Sequence, residues 1–98
     1  MEKRTPHTKL VLVRELVEAG KVRVTRSAMI GATELGLDLA DMLDVLGSLV
    51  PGDFYKSMTT YADHRIWQDV YRPKTQVGDV YLKLTVIDDV LVVSFKAL

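Results

Sequence analysis

The apolar pattern of this chain changes period once, at Pro51-Gly52, and no other feature narrows its possible folds as much. Before that point apolar residues recur three and four apart, the repeat of one helix face. After it they alternate, the repeat of a strand whose two faces meet different surroundings. Pro-Gly continues neither element and turns the chain. Helices followed by antiparallel strands predict an α+β fold, with N-terminal helices packed on one face of a mainly antiparallel twisted sheet. At 98 residues there is room for one core, so a single domain is expected over 1–98. Its helical part runs over about 6–49 and its sheet over about 54–97.

Local signals place the elements. Thr5 as a cap and Pro6 at the first helical position predict a helix over about 6–19. Leu10, Val13, Leu16 and Val17 form its apolar stripe, and Gly20 is its stop. Lys21–Thr25 alternates, which predicts a short edge strand with Lys21 and Arg23 outward. Ser27 is expected to cap a helix over about 28–35, closed by Gly36. Asp38, with Asp41 three residues on, is expected to cap a third over about 39–49 that buries Leu39, Met42, Leu43 and Leu46. Strands are expected at about 54–61, 65–72, 79–87 and 90–96.

Composition removes several classes of function. The chain has no cysteine, so it holds no disulfide and no thiolate metal site, which fits a cytoplasmic protein. Its two histidines, His7 and His64, are too few for an all-His site, and neither a metal nor a cofactor is expected. No apolar run approaches the ~20 residues of a membrane helix. The opening MEKRTPHTK lacks the apolar segment of a signal peptide. Net charge is zero, so any nucleic-acid contact has to come from a local basic patch.

Strand parity indicates where such a patch lies. In 79–87, Val80, Leu82, Leu84 and Val86 are expected to face the helices, leaving Tyr81, Lys83 and Thr85 on the other side. In 90–96, Leu91, Val93 and Phe95 are expected inward, with Ser94 and Lys96 outward. A tight turn at Asp88-Asp89 pairs Leu82 with Phe95 and Tyr81 with Lys96, whereas a three-residue loop would break that pairing.

The stretch Asp53–Arg72 holds five of the seven aromatic residues, a costly core material, and so suggests a contact surface. A three-residue loop at Ala62–His64 puts Lys56 and Met58 on the face of Gln68 and Arg72; a two-residue loop at Asp63-His64 reverses this. With the longer loop, Lys56, Gln68, Arg72, Tyr81, Lys83 and Lys96 share one face. Spacing alone favours solubilising lysines on exposed strands, and it serves half-buried aromatics as well as stacking ones.

The strings MEKRTPHT, DFYKSMTTY, IWQDVYRP, VYLK, TVI and VSFK, spread over essentially the whole chain, closely resemble the MqsR toxins of MqsR–MqsA toxin–antitoxin systems. The resemblance implies a RelE-like fold and a ribosome-independent mRNA endoribonuclease (mRNA interferase) preferring GC-containing triplets such as GCU. It also implies neutralisation by an MqsA-like antitoxin that carries zinc and binds DNA, the toxin itself binding no DNA without it. Lys56, Gln68, Tyr81 and Lys96 match the family's functional set. Tyr55, Met58 and Arg72 match positions around it. Asp88 stands after Thr85-Val86-Ile87 where a member of the family has His, so a His at that turn is not expected to be required, and the face assignment is unchanged.

Metal-free RNA cleavage requires a base for the 2′ proton, a cation for the charge growing on phosphate, and an acid for the leaving 5′ oxygen. A clustered lysine shifted downward by like charge and partial burial can be the base. Lys56 or Lys96 is expected in proton transfer or phosphate stabilisation, Tyr81 as acid or positioning group, Gln68 and Arg72 on phosphate or base edge, and Lys83 with them on substrate. His64, in a hairpin loop, is excluded. A non-catalytic RNA-binding module and a transcription-regulating partner subunit compete with this reading, and RNA cleavage separates them.

Overall fold

The structure, a computed structural model, describes residues 1–98. Three helices, α1 (Leu10–Glu18), α2 (Arg26–Glu34) and α3 (Leu39–Gly47), cover one side of a seven-stranded sheet. The strands are β1 (Glu2–Lys3), β2 (Val22–Val24), β3 (Phe54–Thr59), β4 (Trp67–Tyr71), β5 (Lys74–Thr75), β6 (Gly78–Val86) and β7 (Val90–Ala97). Their order is β1-β3-β4-β6-β7-β2, with β5 paired to β6 alone. Every pairing is antiparallel except β2 with β7, which is parallel. The expected α+β architecture is present. No helix is long and apolar enough to cross a membrane.

The capping box of α3 forms as expected, Asp38 and Asp41 each accepting the other's backbone N–H. Three local expectations need correction. α1 begins at Leu10, not Pro6, and its N-cap Lys9 offers no side-chain bond. The preceding residues are drawn off by a buried acceptor: the Asp69 carboxylate, 2% exposed, takes the backbone N–H of His7 and of Thr8 at 3.0 Å each. The segment before them pairs with β3 as β1. Secondly, α2 is capped by Thr25, whose hydroxyl accepts the Ala28 N–H, not by Ser27. Thirdly, Leu39 lies exposed at the first turn of α3, while Met42 and Leu46 are buried.

The core lies between helices and sheet. Val13, Ala28, Ala32, Met42 and Leu46 meet Tyr71, Val80, Leu82, Leu84, Val90, Val92 and Phe95. α2 lies directly on β7: a Cβ built on Gly31 would stand 1.9 Å from the Phe95 carbonyl oxygen, so only glycine allows this approach. The inward set of β6 is the expected one. That of β7 is not. Val90 and Val92 point inward, with Leu91 and Val93 on the other side, and only Phe95 keeps its expected place.

The cause is a bulge. The β6–β7 loop has three residues, Ile87–Asp89, so Val86 pairs with Val90 and Leu84 with Val92. One extra residue then shifts the register, and beyond it Lys83 pairs with Ser94, Leu82 with Phe95 and Tyr81 with Lys96. The loop that should have broken the Tyr81–Lys96 pairing is thus compensated by the bulge. Thr25 holds the irregular segment, its hydroxyl donating to the Val93 carbonyl at 2.8 Å and its N–H to that of Val92 at 3.0 Å.

Candidate active site

The face of the sheet away from the helices is assembled by register. In the β3–β4 hairpin, Met58 pairs with Gln68 and Lys56 with Val70, the parity of the longer loop. Val70 pairs with Lys83 and Lys83 with Ser94. Glu2 pairs with Met58. Side chains of directly paired residues share a face. Glu2, Lys56, Met58, Gln68, Lys83 and, two residues from Lys83, Tyr81 with its partner Lys96 therefore lie together.

A second bulge adds Tyr55. Phe54 pairs with Tyr71 and Lys56 with Val70, leaving Tyr55 without a partner between them. Bulges re-aim side chains in this way. The Phe54 ring goes to the helix side, edge-on to Tyr71 at 5.5 Å. Tyr55 goes to the open side, where the Arg72 guanidinium sits 4.5 Å from its ring centre. All eight expected residues, Lys56, Gln68, Tyr81, Lys96, Tyr55, Met58, Arg72 and Lys83, are thereby brought to one surface.

The electrostatics of this surface are uneven. Arg72, Lys83 and Lys96 have no carboxylate within ion-pair distance; the chain's three ion pairs are Arg23–Asp89, Lys56–Glu2 and Arg65–Asp63. Lys96 lies 5.3 Å from the Tyr81 ring centre. Partial burial, and then the nearby Lys96 charge, hold the Lys83 ammonium below the usual lysine range. The downward shift expected of a clustered lysine falls on Lys83, and Lys56 shifts the other way. Its Nζ donates to the Glu2 carboxylate at 2.7 Å, which raises its pKa, and Tyr55 and Tyr81 act in the same direction.

Sequence reasoning missed Glu2 and Arg4. Arg4 lies 5.5 Å from the Tyr55 ring centre. Three charged residues, Glu2, Lys3 and Arg4, before a Thr-Pro cap signal read as a tail. Lys3 goes to the opposite side, 4.1 Å from the Trp67 ring centre, with His7 stacked on the same ring at 5.5 Å. His7 is thus a packing residue of the N-terminal segment rather than part of a first helical turn. His64 is exposed in the β3–β4 loop.

A shallow hollow of about 280 Å³ opens beside Tyr55 and Arg72, bounded by Asp53, Phe54, Asp79 and Leu98. The larger cleft, about 310 Å³, lies between α3 and β5. Asp41, Asp44 and Asp53 line it, and their charges oppose a polyanion. No group of three or more His, Asp or Glu side chains is placed to hold a metal ion.

Comparison with known proteins bears on the same chain. The family described as motility quorum-sensing regulator, toxin of MqsA, matches residues 5–97. The mRNA interferase toxin MqsR of Escherichia coli (strain K12) is 66% identical over 96 residues, covering 98% of each chain. With the match running from the N-terminal segment to the end of β7, this chain belongs to the MqsR toxin family.

Proposed function

We propose that the open face is the active site of an mRNA interferase toxin, a ribosome-independent endoribonuclease that needs no metal. The carrying observation is the group of three cations without carboxylate partners, Arg72, Lys83 and Lys96, set among Tyr55, Tyr81 and Gln68 on one rigid sheet face. Unpaired cations bind phosphate, and exposed aromatic rings stack on unpaired bases.

In this reading the 2′ oxygen attacks the adjacent phosphorus and the P–O5′ bond breaks, leaving a 2′,3′-cyclic phosphate and a 5′-hydroxyl. Lys83, whose ammonium is held low by burial and the Lys96 charge, takes the 2′ proton. Lys56, kept protonated, and Lys96 stabilise the charge on the phosphate oxygens. Tyr81 gives a proton to the leaving oxygen. Tyr81 and Lys83 are two residues apart on one strand, about 7 Å, which suits groups on either side of one phosphate. Gln68 and Arg72 hold a base edge and a neighbouring phosphate, and Tyr55 and Met58 contact bases.

The same reading includes cleavage at GC-containing triplets such as GCU, neutralisation by an MqsA-like antitoxin carrying zinc and binding DNA, and a cytoplasmic location, each of which fits a toxin of MqsA. The test is incubation of purified protein with a defined RNA carrying GCU, in EDTA. Cleavage at the triplet, lost when the attacking 2′-OH is replaced by hydrogen and suppressed by antitoxin, is the expected result. Intact RNA in EDTA refutes the metal-free reading.

A further inference from the structure

β1 and the residue following it place two charged groups on the open face. The Glu2 carboxylate accepts from Lys56 Nζ at 2.7 Å, and the Arg4 guanidinium lies over Tyr55. β1 is not a loose end. Its pairing, Glu2 with Met58 and Lys3 with Ser57, is secured from behind by the buried Asp69, which holds the His7 and Thr8 amides and accepts from Ser57 Oγ at 2.6 Å. The Lys56 side chain is only 20% exposed, and Glu2 is its one hydrogen-bond acceptor.

We infer that Glu2 is a positioning residue of the ribonuclease site, fixing the Lys56 ammonium in place and in its charged form for the scissile phosphate. The inference rests on the role given to Lys56 above. The groups around Lys56 make the assignment specific. From β3 comes Tyr55, from the end of β4 Arg72, from β6 Tyr81 and Lys83, and from beyond β1 Arg4. The aromatics Tyr55 and Tyr81 favour its charge and partial burial opposes it, while Arg4 and Arg72 gather over the Tyr55 ring and Lys83 lies two strands away. Glu2 is the one carboxylate paired with it. Without Glu2, this partly buried lysine both leans toward losing its proton and gains freedom to swing away. A misplacement of this kind costs catalysis more than binding.

The experiment compares the parent with Glu2→Gln, Glu2→Asp, Lys56→Ala and Lys56→Arg, using a GCU-containing RNA and the Lys56 ¹³Cε NMR titration of the full chain. Glu2→Gln is expected to lower the Lys56 titration midpoint and to cut kcat about tenfold, with KM changed far less. Glu2→Asp, which keeps the charge on a shorter arm, recovers part of both. In the Lys56→Arg background, where position 56 cannot lose its proton, Glu2→Gln leaves the pH profile unmoved. A Glu2→Gln protein with the parental midpoint, or with parental kcat, overturns the inference. Parental kcat in Lys56→Ala overturns it by a different route, because there the Lys56 assignment itself fails.

Discussion

Replacing Asp69 by Asn tests the account of how the N-terminal segment is held. The carboxylate is buried, and its Oδ1 accepts from His7 N at 3.0 Å and Ser57 Oγ at 2.6 Å, while Oδ2 accepts from Thr8 N at 3.0 Å. Asn has the same shape but only one oxygen. Turned toward His7 and Ser57, it leaves its NH₂ facing the Thr8 N–H, donor against donor. One charge-assisted bond is lost, worth about 1.5–3 kcal/mol, and two others fall to neutral strength, about 1 kcal/mol each. The sum is an upper bound, since residues 4–9 are largely exposed and can turn their amides to water. A loss of about 2–4 kcal/mol is expected, a large share of the 5–15 kcal/mol of an ordinary domain. Urea denaturation reads the global part from the midpoint at unchanged slope. Amide exchange at His7 and Thr8 reads local opening of the segment. Stability within about 0.5 kcal/mol of the parent, with no faster exchange at either amide, would refute the reasoning, since the sum above predicts several times that loss.

Three further outcomes follow from other parts of the molecule. The Tyr71 hydroxyl is buried without a partner, so Tyr71→Phe is expected to stabilise the fold by about 1 kcal/mol at neutral pH in thermal or urea denaturation. Burial raises the Tyr71 pKa to about 12, so above pH ~10 the unfolded parent ionises first. The parent therefore loses stability from pH ~10 toward 12 that the Phe variant keeps, and parallel curves in that window contradict the burial. Gly31→Ala forces α2 off β7 and should cost about 1–3 kcal/mol, measured by denaturation; no loss would mean the helix does not sit on the Phe95 carbonyl. Lys83→Arg keeps the positive charge but cannot give up its proton. Its kcat should fall about 100-fold while binding of a 2′-O-methyl RNA is retained, and cleavage at the parental rate removes Lys83 as the base.

Much of the site was legible because strand parity is a local property. Lys56, Met58 and Gln68 share a face whenever the hairpin has an odd loop, and Tyr81 and Lys83 share one on any regular strand. What parity could not reveal was where the ladder slips. The bulges at Tyr55 and near Val93 are single-residue events with no sequence signature, and each moved side chains across the sheet. The Val93 bulge cancelled a three-residue loop, so the Tyr81–Lys96 pairing was reached from a wrong turn.

By itself, the sequence determined the order of helices before strands, the capping box of α3 and the apolar face of β6, because each depends on residues close in the chain. Tertiary structure alone decided the rest. A buried carboxylate at Asp69 took the amides of His7 and Thr8, cut short the helix that Thr5-Pro6 announced and laid β1 along β3. That long-range contact, between residues about sixty apart, carries Glu2 to Lys56 and raises its pKa, while burial and the Lys96 charge lower that of Lys83. A proton's preference among clustered lysines is set by which of them is paired and which is buried, and neither is visible until the chain has closed on itself.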